Sequence, residues 1–216
     1  MNGKIDTKHR LGELFWLVIL LLPNLVNDLF LLGVGDLVYW LGVDYTTRLI
    51  TFSLVLTVPI FRQISVSSLT MHGSNRNWWL GAVFVAAIAL LFDYTISHWL
   101  YIYFGAKDAV MFSFPQVHLP WLKMFDLTIG IAIVAISEEI VCRGIFKHIF
   151  EKYVPNQMVV AIASSMVFSA FHWSHGPAAM LSTFFIGTLL MALYQKTKSL
   201  WPPIVAHYII NFIYFF

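Results

Sequence analysis

An all-α fold, a polytopic membrane helix bundle of about seven spans with room for an eighth, is predicted for this sequence by three observations. The 216 residues are 59% hydrophobic and 11% charged, whereas soluble chains run nearer ~45–50% and ~25%. The apolar residues gather into stretches of about 20, the length that crosses a bilayer. Lysine and arginine collect in alternate gaps between those stretches, as they do in cytoplasmic loops. A water-soluble globule is excluded, because too few polar residues are present to cover its outside. The net charge of +2 gives no reason to expect a nucleic-acid partner, so the bilayer itself is the expected surrounding. With Cys142 the sole cysteine, internal disulfides and multi-cysteine metal sites are excluded too.

Taken in order, the first apolar stretch runs from Leu11 to Gly33 behind Lys4, Lys8 and Arg10. It lacks a small-residue cleavage site and stays apolar past Pro23, so an uncleaved span is expected rather than a leader. The second stretch is Thr46 to Phe61 and the third Trp78 to His98. The pieces Leu37 to Val43 and Trp99 to Trp121 read as interfacial. The fourth is Asp126 to Phe146, the fifth Gln157 to Trp173, the sixth Ala178 to Tyr194 and the seventh Leu200 to Phe216. Base falls at the N-terminus, at Arg62 and Arg76, at Lys147 and Lys152, and at Lys196 and Lys198. The alternate gaps hold Asp36 and Asp44, then Lys107, Asp108 and Lys123, then no charge at all between Ser174 and Pro177. This pattern predicts a cytoplasmic N-terminus. No internal repeat or long linker divides the chain, so residues 1–216 read as one membrane-embedded domain.

Each ionisable residue inside a span costs on the order of 2.5–3.5 kcal/mol on insertion scales and is therefore a candidate for function. Span four carries three: Glu138, Glu139 and Arg143. Glu139 stands one turn before Arg143, the favourable order for an i, i+4 pair. Glu138 points about 100° away, with no intramembrane cation obvious for it. Span five ends on Phe168-Ser-Ala-Phe-His172, and span seven holds His207 and Asn211 on one helical face. A turn near Tyr153 to Asn156 would bring Glu138 and His172 level across an antiparallel hairpin.

The string Glu138-Glu139-x-x-x-Arg143-Gly144, then Phe168-x-x-x-His172, then His207-x-x-x-Asn211 resembles the CAAX prenyl protease and bacteriocin-processing family of intramembrane glutamate proteases, also called the Abi family. The approach Ser199-Leu-Trp-Pro-Pro-Ile-Val-Ala-His207 is similar to that family's lead-in to its last motif. Met191 stands one turn after Gly187, where the family usually has a small residue. The resemblance implies a catalytic core over about residues 125–216 and a membrane endopeptidase that needs neither metal nor cofactor. Its substrate would be a membrane-associated peptide or protein, lipidated in the CAAX case, or a bacteriocin or signal-peptide precursor. In that reading Glu138 and His172 polarise a water, while His207 and Asn211 stabilise the oxyanion. Glu139 and Arg143 support the helix and orient Glu138.

Three other readings stay open on the residues alone. Glu138, His172 and His207 are a conceivable ligand set for a catalytic zinc, although no His-Glu-x-x-His pair occurs. A transporter or proton relay would also use buried carboxylates and histidines, but no inverted repeat is present. A non-catalytic membrane partner or immunity protein would keep the motifs for folding. Asp28, Asp93 and Asp126 read as inter-helix polar contacts, and Ser164, Ser165 and Ser169 as packing residues. Tryptophans near span ends fit interfacial belts. The short loops suggest a bacterial cell membrane.

Overall fold

In the computed structural model the described residues, 7–30, 32, 36–70, 77–104 and 117–216, form helices and short connections, with no strand among them. Lys4, Gly33, Arg76, Lys107 and Asp108, which figured in the reading of spans and loops, lie outside the described residues. Helix α1 covers Thr7–Val26 and runs into a 3-10 turn, Asn27–Phe30. Helix α2 covers Leu37–Thr57, and Asp36 caps it by accepting from Tyr39 N at 2.7 Å. Helix α3 is Pro59–Leu69, and α4 is Trp78–Phe104. Residues 120–150 form one continuous helical rod, α5. Helices α6 (Gln157–Ala170), α7 (Gly176–Thr197) and α8 (Trp201–Phe215) complete the chain.

The second span departs from its predicted bounds. It begins at Leu37, so the piece expected at the interface forms the first turns of α2, and Asp44, expected in a loop, is a buried helical residue. The span then breaks at Val58, which is extended (φ −82°, ψ 113°). Proline disfavours the helical region for the residue before it; the helix therefore stops ahead of Pro59 and resumes as α3 at 97° to α2. Rod α5 is longer than its expected span and alternates in pitch, with wide π-helical turns at Asp126–Gly130 and Ile140–Phe146.

Among the described residues, three helical segments are by themselves long and apolar enough to cross a membrane: Leu11–Phe30, Trp78–Ile96 and Trp173–Thr197. A fourth results if the bent pair α2–α3 counts as one span. The expected seven therefore do not emerge from length and hydropathy alone. Helices α6 and α8 have only 14 and 15 residues, and the charged cluster interrupts the apolar run of α5.

Helices α6 and α7 pack side by side, and α4 and α8 pack against each other, with α4 also on α7 and α8 on the Ile131–Glu139 part of α5. Core side chains include Leu17, Phe61, Ala86, Val141, Phe168 and Leu190. Met191 is completely buried. The outer surface is apolar, with Phe84, Leu91, Trp99, Trp121 and Trp201 exposed, while charged Glu138, Glu139 and Arg143 are buried. This inversion is what a lipid solvent requires. Asp28, Asp93 and Asp126 make the inter-helix contacts expected of them, accepting from Ser174, Ser182 and Tyr45 respectively. Ser164 and Ser169 bond the Cys142 and Met180 carbonyls, and Ser165 that of Ala161 in its own helix.

Candidate active site

Glu138 and Glu139 are adjacent in α5 and therefore address different neighbours, as a rotation of about 100° requires. Both are buried. Glu139 takes the partner that its spacing foretold: Arg143 Nη1 donates to Glu139 Oε1 at 3.0 Å, with both side chains wholly inaccessible. Arg143 Nη2 donates to the Gly187 carbonyl at 3.1 Å, and the guanidinium lies 4.3 Å from the Phe168 ring centroid. One arginine thus ties α5 to α6 and α7, using a bonding fork that lysine lacks.

Glu138 has a partner that the sequence reading missed. Arg48 of α2 sits 3.0 Å from Glu138 Oε1 through its Nη2. A signal for it existed: Arg48 follows Asp44 by four residues inside an apolar stretch, an intramembrane pair of the kind that was noticed in span four. The second oxygen of Glu138, Oε2, is buried and has no hydrogen-bond partner among the described residues. It lies 3.9 Å from His207 Nε2.

His207 enters from α8, buried and edge-on to Phe168 with ring centroids 5.4 Å apart. Its Nδ1 is 2.9 Å from Glu139 Oε1. Against a carboxylate oxygen that nitrogen must donate, so Nε2, which faces Glu138, donates only when the ring is an imidazolium.

His172 stands just beyond the end of α6 rather than within it, in a turn (φ −109°, ψ 21°) that leads to a short 3-10 segment, Trp173–His175. Its Nδ1 is 2.9 Å from the Phe168 carbonyl. A carbonyl only accepts, so Nδ1 carries the hydrogen and Nε2 of the neutral ring is a free base. Asn211, one turn after His207, is half-buried and makes no side-chain hydrogen bond among the described residues.

The structure thus brings Glu138, Glu139, Arg143 and His207 into direct contact, with His172 in electrostatic range and Asn211 one helical turn away. A buried carboxylate with an open oxygen, a free imidazole nitrogen and further donors can activate a water and receive the charge that develops on a carbonyl. Among the described residues no group of three or more His, Cys, Asp and Glu side chains is placed to hold a metal ion.

Residues 120–213 match the family described as type II CAAX prenyl endopeptidase Rce1-like, which agrees with the family resemblance carried by the three motifs. No curated protein and no solved structure matches the chain.

Proposed function

With that match as premise, we propose that this multi-pass membrane protein is an intramembrane endopeptidase of glutamate type. It would hydrolyse a peptide bond of a membrane-associated peptide or protein, either a CAAX-type lipidated one or a bacteriocin or signal-peptide precursor. The observation that carries the reading is the state of Glu138: one oxygen held, the other buried, unpartnered and 3.9 Å from His207 Nε2.

A water that donates to Glu138 Oε2 and His172 Nε2 loses a proton as it attacks the carbonyl carbon. General-base assistance of this kind is worth ~10²–10⁴ in rate. The oxyanion accepts hydrogen bonds from Asn211 and from His207 as imidazolium, each such donor contributing roughly 3–4 kcal/mol in a water-poor site. The proton then passes to the leaving amine, and C–N cleavage yields the new carboxylate and amine termini. Glu139 and Arg143 hold His207 and the helix in register.

In this reading seven segments cross the cell membrane from a cytoplasmic N-terminus, and no metal takes part. Glu138→Gln keeps shape and hydrogen bonding but removes the base. Against a farnesylated CAAX peptide and its unlipidated counterpart, hydrolysis by this variant should fall at least ~10²-fold while the protein still folds, at a melting temperature lowered by loss of the Arg48 ion pair. Wild-type activity should survive chelation. Activity lost in chelator and restored by zinc would transfer the assignment to a metalloprotease.

A further inference from the structure

Arg48 belongs to α2, outside the family-matched residues 120–213, yet it is the cation nearest Glu138. The guanidinium is buried and held from several sides. Its Nη1 donates to Asn24 Oδ1 of α1, and its Nη2 reaches Asp44 Oδ1 at 3.4 Å as well as Glu138 Oε1 at 3.0 Å. From Asp44 the polar contacts continue. Asn27 Nδ2 donates to Asp44 Oδ1 at 3.4 Å and to Asp28 Oδ1 at 3.1 Å, and Asp28 Oδ2 accepts from Ser174. Ser174 lies two residues after His172, in a turn that is also held by Trp173 Nε1 donating to the Leu25 carbonyl at 3.1 Å. A chain of buried polar contacts through α2 and the 3-10 turn after α1 therefore joins the carboxylate in α5 to the turn that carries His172.

We propose that Arg48 is a positioning residue of the peptidase site, a role that rests on the reading above: it fixes Glu138 by Oε1 and so presents Oε2 to the attacking water. A planar guanidinium already locked by Asn24 and Asp44 holds one geometry, which an ammonium on a flexible stem does not. The N-terminal helices are then part of the catalytic machinery rather than only its lipid-facing cover.

The test uses the full chain, purified and reconstituted in phosphatidylcholine vesicles. Its first arm is a thermal-unfolding cycle of Arg48→Gln, Glu138→Gln and the double variant, which needs no activity. Coupling is expected, the double variant melting no lower than Arg48→Gln alone; additive losses would overturn the pair. Its second arm measures kcat and KM on a quenched farnesylated CAAX peptide. Misplacing a catalytic group by about 1 Å can cost ~10²-fold, so Arg48→Gln should lose on that order in kcat with KM little changed. Arg48→Lys should recover the melting temperature but not kcat. If Arg48→Gln does not fold, Arg48→Lys and Asn24→Ala, which both keep the cation, carry the same kcat measurement. Full kcat in Arg48→Lys would reduce Arg48 to a neutralising charge and sink the positioning role. An active wild type with an additive cycle defeats the Arg48 proposal alone, whereas an inactive wild type with a coupled cycle defeats the peptidase reading and the catalytic role built on it.

Discussion

Asn211 is the proposed site residue with the fewest structural ties. Half-buried and without a side-chain hydrogen bond among the described residues, its amide has no hydrogen bond to lose there, so its removal bears chiefly on catalysis. Asn211→Ala should lower kcat by roughly 10²–10³, the measured worth of one oxyanion donor, with KM and melting temperature near wild type. A steady-state comparison on the farnesylated peptide decides this, and a wild-type kcat would reassign the oxyanion role. At this scale the sequence was legible where chemistry follows chain spacing. Glu139 and Arg143 meet because i and i+4 share a helical face, and His207 and Asn211 stand one turn apart for the same reason. The spacing of Asp44 and Arg48 marked a buried cation, but which partners Glu138 and His207 take was not legible. Arg48–Glu138 and His207–Glu139 each join different helices, and such contacts depend on packing angles that no local pattern encodes. The protonation logic of His207 follows from one of them and was equally hidden.

Among the helices, α6 and α7 approach each other closely at Gly187. A β-carbon there would lie 3.2 Å from the Ser165 Cα, 3.2 Å from Phe168 Cδ1 and 3.3 Å from Arg143 Nη2. The first of these is backbone and cannot swing aside. Glycine thus sets the helix separation and lets the Gly187 carbonyl reach the guanidinium. Small residues serve membrane helix contacts in this way. Gly187→Ala should push α7 away and weaken that hydrogen bond, destabilising the protein by ~1–3 kcal/mol as overpacking does. Gly42→Ala is the control, since a β-carbon at Gly42 meets nothing within 4 Å. Thermal unfolding in detergent reads both, and equal melting temperatures would mean that α6 and α7 adapt freely. The bounds of α6, α7 and α8 were close to legible from apolar runs, and Asn156, in the expected turn, caps α6 by accepting from Met158 N and Val159 N. Less legible were the bend at Pro59, inside what read as one apolar span, and the π turn Ile140–Phe146. That π turn carries Arg143, and π turns are common at functional sites. No residue type announces it.

Taken over the whole molecule, the lysines of two described loops lie toward one end of the bundle. Lys152 bonds Glu13 of α1 at 2.9 Å, which sets the start of α1 beside the end of α5. Gln195 Nε2 donates to the Gln157 carbonyl at 3.1 Å, so the end of α7 meets the start of α6. Leu200 N donates to the Ser68 carbonyl at 2.9 Å, bringing the end of α3 to the same place. Lys147, Lys152, Lys196 and Lys198 thus lie toward a common end. Alternation of base along the chain is readable because it reflects insertion energetics rather than packing. The count of spans is less readable, since α6 and α8 are short and wide π turns divide α5 into short α-helical pieces. If the basic end is cytoplasmic, a cysteine replacing exposed Lys196 should resist a membrane-impermeant maleimide in intact cells and react after permeabilisation. A cysteine replacing exposed His118, just before α5 at the opposite end, should react in intact cells. The wild type serves as the blank, because Cys142 is completely buried. Labelling of Lys196→Cys but not His118→Cys in intact cells would invert the bundle and place the N-terminus outside.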